Sequence, residues 1–564
     1  MSAISVRHRR GVHDPPRGPR LAIAAVPVVF LAVLFVYPVV SITGMGLLGL
    51  GAGTRITTFA EIVGDAGIWG IVWFTVWQAV ASTVLTVVLG IPGAYVLSRL
   101  RFPGRRVVRA VATVPFVMPT VVVAAAFTGL LGSRGPLRDV LDAVGVPGGR
   151  LTGTIWAVLI AHAFFNYAVV LRTVGGLWEH LDPRLEEAAR TLGARGLTVF
   201  REVTWPLLRP AVASAAAIVF LFTFTSFGVV LLLGAPRLAT IEVEIFRSTT
   251  QLLDLRTAAV LSLLQLAGVL AALGAYARLR RRRTGRQRLT STRIVQRPPR
   301  TPAQWWMLAG NLAVMAVLLG VPLLALVERS LATDAGYSLQ WYRSLTDDGG
   351  RGGILFVSPL TAVLTSLRYA VVATMIAVVV GGCAAVTVTA GRNRWLDTLL
   401  MLPLGTSAVT VGFGFLVALD SPPLDLRNSL LLVPLAQALV AVPFVVRLLV
   451  PVVEAIDPRL REAAAVLGAR PGRVFREVDL PIVGRGLLAA AGFAFAVSLG
   501  EFGATVFLAQ PSRPTVPVAI YRLLGQPGAA SLGRAMAMST VLMILTTAAI
   551  LTIERLRVRG VGEF

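Results

Sequence analysis

The chain of 564 residues contains no lysine, one cysteine and four histidines. A standard phosphate-binding P-loop needs its lysine, so the chain cannot carry that motif and any ATP hydrolysis must belong to another polypeptide. The lone Cys383 excludes a disulfide framework and a cysteine-based metal site. The histidines, His8, His13, His162 and His180, are too scattered in sequence to suggest a metal cluster. We therefore expect the chain to bind no cofactor and no metal.

Charge is also scarce. Only 14% of the residues are charged and 55% are hydrophobic, whereas about 25% of the residues in soluble domains are charged. Apolar runs of about twenty residues, the length that crosses a bilayer as a helix, recur from one end of the chain to the other. The sequence therefore predicts an all-α polytopic membrane protein.

Twelve spans are predicted, six in each half of the chain. The spans of the first half cover residues 21–43, 69–98, 107–131, 152–175, 208–233 and 257–279. The spans of the second half cover residues 305–327, 366–390, 395–419, 428–452, 486–509 and 535–556. Because six is even, both halves begin on the same side, which predicts two parallel pseudo-repeats, an architecture of transporters.

The net charge of +25 lies mainly in short loops beside the spans. This distribution follows the positive-inside rule and places both termini and the even-numbered loops in the cytoplasm of a bacterial cell, with the protein in the cytoplasmic membrane. It does not form the continuous basic face that binds nucleic acid, so no nucleic-acid partner is expected.

The most basic stretch, residues 278–300, holds ten arginines and no acidic residue. Its polar, proline-containing composition predicts a linker, residues 283–304, between a first domain of residues 1–282 and a second of residues 305–564. Such a stretch can also lie on anionic membrane lipid, and the two interpretations are compatible.

One charged segment occurs twice. "LDPRLEEAARTLGARGLTVFREVTWP" covers residues 181–206, and "IDPRLREAAAVLGARPGRVFREVDLP" covers residues 456–481; they agree at 17 of 26 positions. Each copy lies between the fourth and fifth spans of its half. Asp and Pro at the start predict a capped helix, and Gly193 or Gly468 predicts its end, so that each copy folds as a helix–glycine–helix elbow.

Apolar residues recur at helical spacing in each elbow, for example Leu185 and Leu192 in the first and Leu460 and Leu467 in the second. An elbow could lie on the inner leaflet, but its mixed charges favour a protein groove over anionic lipid. We expect the leucine and alanine face to pack toward the rest of the chain or toward the wall of that groove.

The repeated segments resemble the EAA loop of binding-protein-dependent ABC importer permeases. The residues that carry the resemblance have the same spacing in both copies: Glu187, Ala188, Ala189, Gly193 and Pro206, and Glu462, Ala463, Ala464, Gly468 and Pro481. The first copy departs from the pattern at Trp205, where leucine is usual. The resemblance implies a type I ABC importer (MetI-like) permease fold.

In that family the elbow is a coupling helix that docks into a groove on a cytoplasmic ATPase subunit. A fused permease with two elbows therefore implies two copies of the ATPase, which use the ATP, and an external solute-binding protein that delivers the cargo. Glu187 and Glu462 would then lie near the ATPase.

Within the family, residues 224–266 resemble the fused permeases of thiamine importers, and the ferric-iron importer permeases share the fusion and the repeat. Residues 498–528 also resemble permeases for molybdate and sulfate. The resemblance implies thiamine as the first candidate cargo, ferric iron as the second, and molybdate or sulfate after them.

Pairing the halves at an offset of 275 residues aligns Ser226 with Glu501 and His162 with Gln437. An acidic residue in a span is costly, so Glu501 is a candidate for the translocation pathway; alternatively it lies at the outer headgroups or pairs with an arginine. Ser226, His162 and Gln437 are assigned to the same candidate pathway. For His162, a neutral side chain bonded to a backbone carbonyl is expected rather than a ligand.

Two other classes of function explain the sequence less well. An ion-driven secondary transporter would need broken helices and paired charges at the midplane, and it would leave the two elbows unexplained. An intramembrane enzyme would need convergent catalytic groups, and one cysteine and one intramembrane histidine do not supply them. The chain is therefore expected to be a transport subunit and not an enzyme.

Overall fold

Helices make up most of the structure, a computed structural model that describes residues 17–49, 58–132, 135–137, 151–281, 296–347, 355–391, 394–420 and 424–556. In these ranges the only strands are Ala332–Thr333 and Gly336–Tyr337, which pair antiparallel. The all-α prediction is confirmed. The basic residues 1–16 and residues 283–295 of the predicted linker lie outside the described ranges.

Ten helices of the described chain are long and apolar enough to cross a membrane. In the first half they are Leu21–Leu48 (span 1), Ala66–Arg99 (span 2), Ile155–Trp178 (span 4), Gly196–Phe224 (span 5) and Leu255–Arg278 (span 6). In the second half they are Pro302–Leu331 (span 7), Pro359–Thr389 (span 8), Leu432–Glu454 (span 10), Gly472–Gly500 (span 11) and Ala529–Thr552 (span 12).

The other two predicted spans are broken helices. Span 3 consists of Arg105–Val117 and Thr120–Leu131, bent by 105° at the break. Met118 is extended there because the ring of Pro119 disfavours the helical conformation for the residue before it. Span 9 consists of Arg394–Gly405 and Ala408–Ala418. Of the twelve predicted spans, ten are therefore single long helices, and the number is eleven if the bent pair of span 3 is one span.

Spans 5 and 11 are shorter at their far ends than predicted. They end at Phe224 and Gly500, not at residues 233 and 509, because the chain leaves the helical conformation at the next few residues. Short helices follow each of them: Gly228–Leu233 and Ile241–Thr250 after span 5, and Thr505–Leu508 and Val516–Leu524 after span 11. The described ranges also contain the short helices Phe59–Gly64 and Gln340–Arg343.

The two halves exchange their first spans. Leu31, Leu34 and Phe35 of span 1 are buried in a core cluster formed otherwise by the second half. Leu319 and Leu326 of span 7 are buried in the cluster that contains most of the first half. Neither half therefore buries its core alone, and the apolar contacts of these two spans hold the halves together.

Candidate functional site

Each elbow begins with the same capped turn. The Asp182 carboxylate accepts a hydrogen bond of 2.9 Å from the N–H of Arg184, and Asp457 accepts one of 2.9 Å from the N–H of Arg459. The proline at the next position has no N–H to leave unpaired. The first elbow helices are Pro183–Thr191 and Pro458–Val466, as the sequence predicts.

A glycine with positive φ ends each of these helices. The φ angle is +87° at Gly193 and +82° at Gly468, a conformation that other residues adopt only with strain. The chain then turns into Gly196–Val199 in the first elbow and Pro471–Val474 in the second. A π-helical turn connects each of these to the long α-helical part of the span, Trp205–Phe224 in span 5 and Leu480–Gly500 in span 11. The elbows thus have one backbone shape, 275 residues apart.

Substituting Gly193 by valine is expected to reduce transport about tenfold, because a β-branched residue at positive φ costs about 1–2 kcal/mol and the elbow relieves this strain by opening. No atom lies within 4 Å of an added Cβ at Gly193 or at the control position Gly196, where φ is negative. Gly196→Val should therefore transport at the wild-type rate when uptake into reconstituted vesicles is measured for both variants. Equal loss in both variants would attribute the effect to side-chain size rather than to φ.

Glu186 fixes the first elbow to the spans. Its carboxylate accepts hydrogen bonds from Arg99 of span 2 at 2.9 Å and from Thr204, the last residue of the π-helical turn, at 3.0 Å. Arg99 is buried and also donates to the carbonyl of Leu181 at 3.4 Å. This link joins the two arms of the elbow to each other and to the end of span 2.

The second elbow uses inverted chemistry at the same positions. Arg461, the equivalent of Glu186, donates to the carboxylate of Asp479, the equivalent of Thr204, at 2.8 Å. In both elbows the two arms are therefore joined by side chains 18 residues apart in sequence, although the residue types at both positions differ between the elbows. The shared backbone shape therefore does not depend on one particular pair of residues.

The acidic residues of the EAA motifs differ in their surroundings. Glu187 forms an ion pair with Arg297, which lies between the halves and pairs its backbone with Arg99 and Arg101 at the end of span 2. Glu462 is exposed and has no ion-pair partner among the described residues. The first elbow is thus attached to the segment that leads into span 7, and the second is not.

The apolar face of each elbow is open to its surroundings. Leu192 is 88% exposed and Leu467 is 87% exposed, at the tip where each elbow turns. Leu185 and Leu460 are about half exposed. The tip of the face therefore lies outside the packing of the chain, which favours the second predicted arrangement, packing in a partner's groove.

His162 lies between two hydroxyl groups at the centre of the first half. Its Nδ1 is 2.9 Å from the Ser82 hydroxyl and its Nε2 is 2.8 Å from the Ser226 hydroxyl. The predicted hydrogen bond to a backbone carbonyl is therefore wrong, because both ring nitrogens have hydroxyl partners. One hydroxyl can donate to the ring nitrogen that carries no proton, while the other accepts from the ring N–H. His162 thus connects spans 2 and 4 to the end of span 5. Its aligned partner Gln437 is also buried, and its Oε1 has no hydrogen-bond partner in the described ranges.

Glu501 is buried and bonded to its own backbone. Its carboxylate accepts hydrogen bonds from the N–H groups of Ala504 at 2.8 Å and Thr505 at 3.0 Å. It therefore caps the helix Thr505–Leu508, and neither headgroups nor an arginine partner is needed to explain its burial.

Comparison with known proteins supports a transport role. Residues 86–285, which include the first elbow, match the family described as "Binding-protein-dependent transport system inner membrane component". Residues 86–285 therefore form a permease domain of this family. The chain is a multi-pass protein of the inner membrane and a transport subunit.

Similar proteins cover most of the permease. The thiamine transport system permease protein ThiP of Brucella abortus (strain 2308) is 28% identical over 509 residues, which are 87% of this chain and 88% of that protein. ThiP of Escherichia coli (strain K12) is 27% identical over 516 residues, 88% of this chain and 90% of that protein. The sulfate transport system permease protein CysT of Salmonella typhimurium is 34% identical over 160 residues, 28% of this chain and 57% of that protein.

Among solved structures, the permease resembles a chain of a bacterial ABC transporter involved in the import of the acidic polysaccharide alginate. The TM-score is 0.40 at 15% sequence identity, and the match covers 47% of this chain and 96% of that chain.

A buried acid of the permease escaped the sequence analysis. Glu242, near the start of Ile241–Thr250, is fully buried and accepts hydrogen bonds from Ser407 at 2.5 Å and from Gln265 at 3.0 Å. Ser407 belongs to the other half and also caps Ala408–Ala418, the second part of span 9. The available sequence signal was an acidic residue within the otherwise apolar run of residues 239–245, where Glu244 is the second acid.

Proposed function

We propose that the permease is the membrane subunit of an ATP-driven importer and that each elbow docks on one copy of a cytoplasmic ABC ATPase subunit. The observation that carries this proposal is the pair of elbows with one backbone shape and exposed leucines at the tip. Exposed apolar side chains rimmed by charges are typical of a protein-binding surface. ATP would be bound and hydrolysed by the partner, since this chain has no lysine for a P-loop.

The proposed cargo is thiamine, delivered by an external solute-binding protein. The fused relatives named for thiamine transport match both halves of this chain, whereas the sulfate permease matches 28% of it. Deleting the permease is expected to abolish uptake of labelled thiamine, and a plasmid copy should restore it. Intact thiamine uptake together with lost ferric-iron uptake would assign the permease to the iron importers instead.

The proposed topology places both termini and both elbows in the cytoplasm. In a Cys383→Ser background, single cysteines at Arg195 and Arg470, both exposed in the elbows, should react with a membrane-impermeant maleimide only in inside-out vesicles. A cysteine at Leu339, exposed between spans 7 and 8, should react only in intact cells or spheroplasts. Labelling of either elbow from outside would contradict this topology.

A further inference from the structure

Two aromatic pairs mark the axis that relates the halves. Phe227 and Phe502 are equivalent residues, 275 positions apart, and their rings stack at 5.4 Å with an interplanar angle of 19°. Phe246 and Tyr521 are also equivalent, and their rings meet edge to face at 6.1 Å. A residue can contact its own symmetry equivalent only beside the symmetry axis. The pseudo-two-fold axis therefore passes between these rings.

Further ring contacts join the two pairs into one group. Phe227 meets Phe246 at 5.4 Å, Phe502 meets Tyr521 at 5.6 Å, and Phe246 meets Phe507 at 5.5 Å. We name these five residues the axis aromatic cluster. Phe227 and Phe502 are buried, so the cluster fills the contact between the halves. In parallel-repeat transporters the axis runs along the membrane normal and the solute passes between the repeats.

The cluster lies far from the elbows. Trp205–Phe224, which leads from the first elbow toward Phe227, has 20 residues and therefore spans about 30 Å at 1.5 Å per residue. Leu480–Gly500 leads in the same way from the second elbow toward Phe502. If the elbows face the cytoplasm, the cluster faces the external side, where cargo enters.

Glu242 lies beside this cluster. It is one helical turn from Phe246 in Ile241–Thr250, and residues four apart share one helix face. Its partner Ser407 precedes Ala408, whose Cβ would be 2.9 Å from a Cβ added at Gly503, next to Phe502. Both oxygens of Glu242 accept hydrogen bonds, one from Ser407 and one from Gln265.

We propose that the axis aromatic cluster is the external gate of the pathway and that, with Glu242, it forms a transit site selective for organic cations. The faces of aromatic rings attract cations, and a carboxylate held beside them adds charge selectivity. This inference rests on the proposed importer function and deepens it, because thiamine is an organic cation with a quaternary ring nitrogen.

The gate can be tested without cargo. Permease with Phe227→Ala and Phe502→Ala, reconstituted into vesicles without ATP or binding protein, is expected to leak entrapped tetramethylammonium about tenfold faster than the wild type, because the stacked pair no longer fills the axis. The matched control is Phe444→Ala, which breaks the contact of 5.2 Å between Phe444 and Phe493 within the second half. A leak no faster than that of the control would overturn the gate.

A second variant protects the gate test against misfolding. In a Cys383→Ser background, Phe227→Cys and Phe502→Cys together should allow a short bifunctional thiol reagent, cleavable by a reductant, to join the two positions. Joining the two positions should stop the uptake of labelled thiamine, and cleaving the reagent should restore it. Restored uptake would also show that the variant is folded. Uptake that continues after complete joining would overturn the gate.

Charge selectivity is tested by adding Glu242→Gln or Glu242→Asp to the leaking double variant. The double variant should pass tetramethylammonium about tenfold faster than methanesulfonate, Gln should remove that preference, and Asp should keep part of it. Equal passage of both ions in the double variant, or equal effects of Gln and Asp, would overturn the role of Glu242. These leaks require no thiamine, so a different cargo in the uptake assay would reject thiamine and leave the gate standing.

Discussion

Replacing Leu192 and Leu467 together by aspartate is expected to abolish association with the ATPase and, with it, transport. Each side chain is almost fully exposed at the tip of its elbow, at 88% and 87%, so neither contributes to the folding of the permease. Burying a leucine contributes about 1.5–3 kcal/mol, and a charge buried in its place without a partner adds a further penalty. Two such sites predict a loss of affinity of at least about 100-fold.

The measurement is pull-down of the ATPase with detergent-extracted permease, alongside transport-coupled ATP hydrolysis. Leu339→Asp, at an exposed leucine away from the elbows, is the matched control and should retain the ATPase. The single variants Leu192→Asp and Leu467→Asp should each lose one docking site and transport poorly. Normal association of the double variant would show that the elbow tips are not docking surfaces.

Arg99→Met is expected to uncouple the first elbow while the permease still inserts. Arg99 is only 8% exposed, and it holds both the Glu186 carboxylate and the Leu181 carbonyl. Removing it leaves Glu186 bonded to Thr204 alone, and losing one member of such a hydrogen-bonded charge pair costs about 2–5 kcal/mol. Because Glu186 is partly exposed, we expect the lower end of this range.

The variant should show a lower midpoint of thermal unfolding and transport reduced about tenfold, with the ATPase still bound through the second elbow, whose link between Arg461 and Asp479 is independent. Arg101→Met, two positions away and exposed, is the control and should behave as the wild type. Unchanged transport in Arg99→Met would show that Glu186 does not position the elbow.

The elbows could be predicted residue by residue because their determinants are local. An aspartate cap, a proline at the first helical position and a glycine at positive φ act within one or two turns, so the sequence alone is sufficient to place Asp182, Pro183 and Gly193. The sequence also predicts that this is a membrane protein, since the length and polarity of each apolar run are properties of the run itself.

The breaks in spans 3 and 9 were not predicted, because hydropathy measures how apolar a segment is and not whether its helix is continuous. Pro119 was a local warning in span 3. In span 9 the break depends on the hydroxyl of Ser407, which caps the new helix and donates to Glu242 of the other half. The residues around Ser407 do not predict its contact with Glu242, which lies 165 positions away in the sequence.

Tertiary structure alone decided what lies between the halves. Pairing at a fixed offset showed that Phe227 and Phe502 are equivalent, but not that they stack on each other, because equivalence says nothing about distance from the axis. The exchange of spans 1 and 7 and the burial of Glu242 likewise depend on residues more than a hundred positions apart. A periodic apolar pattern specifies that a face is buried; which partner buries it is decided only when all the spans pack together.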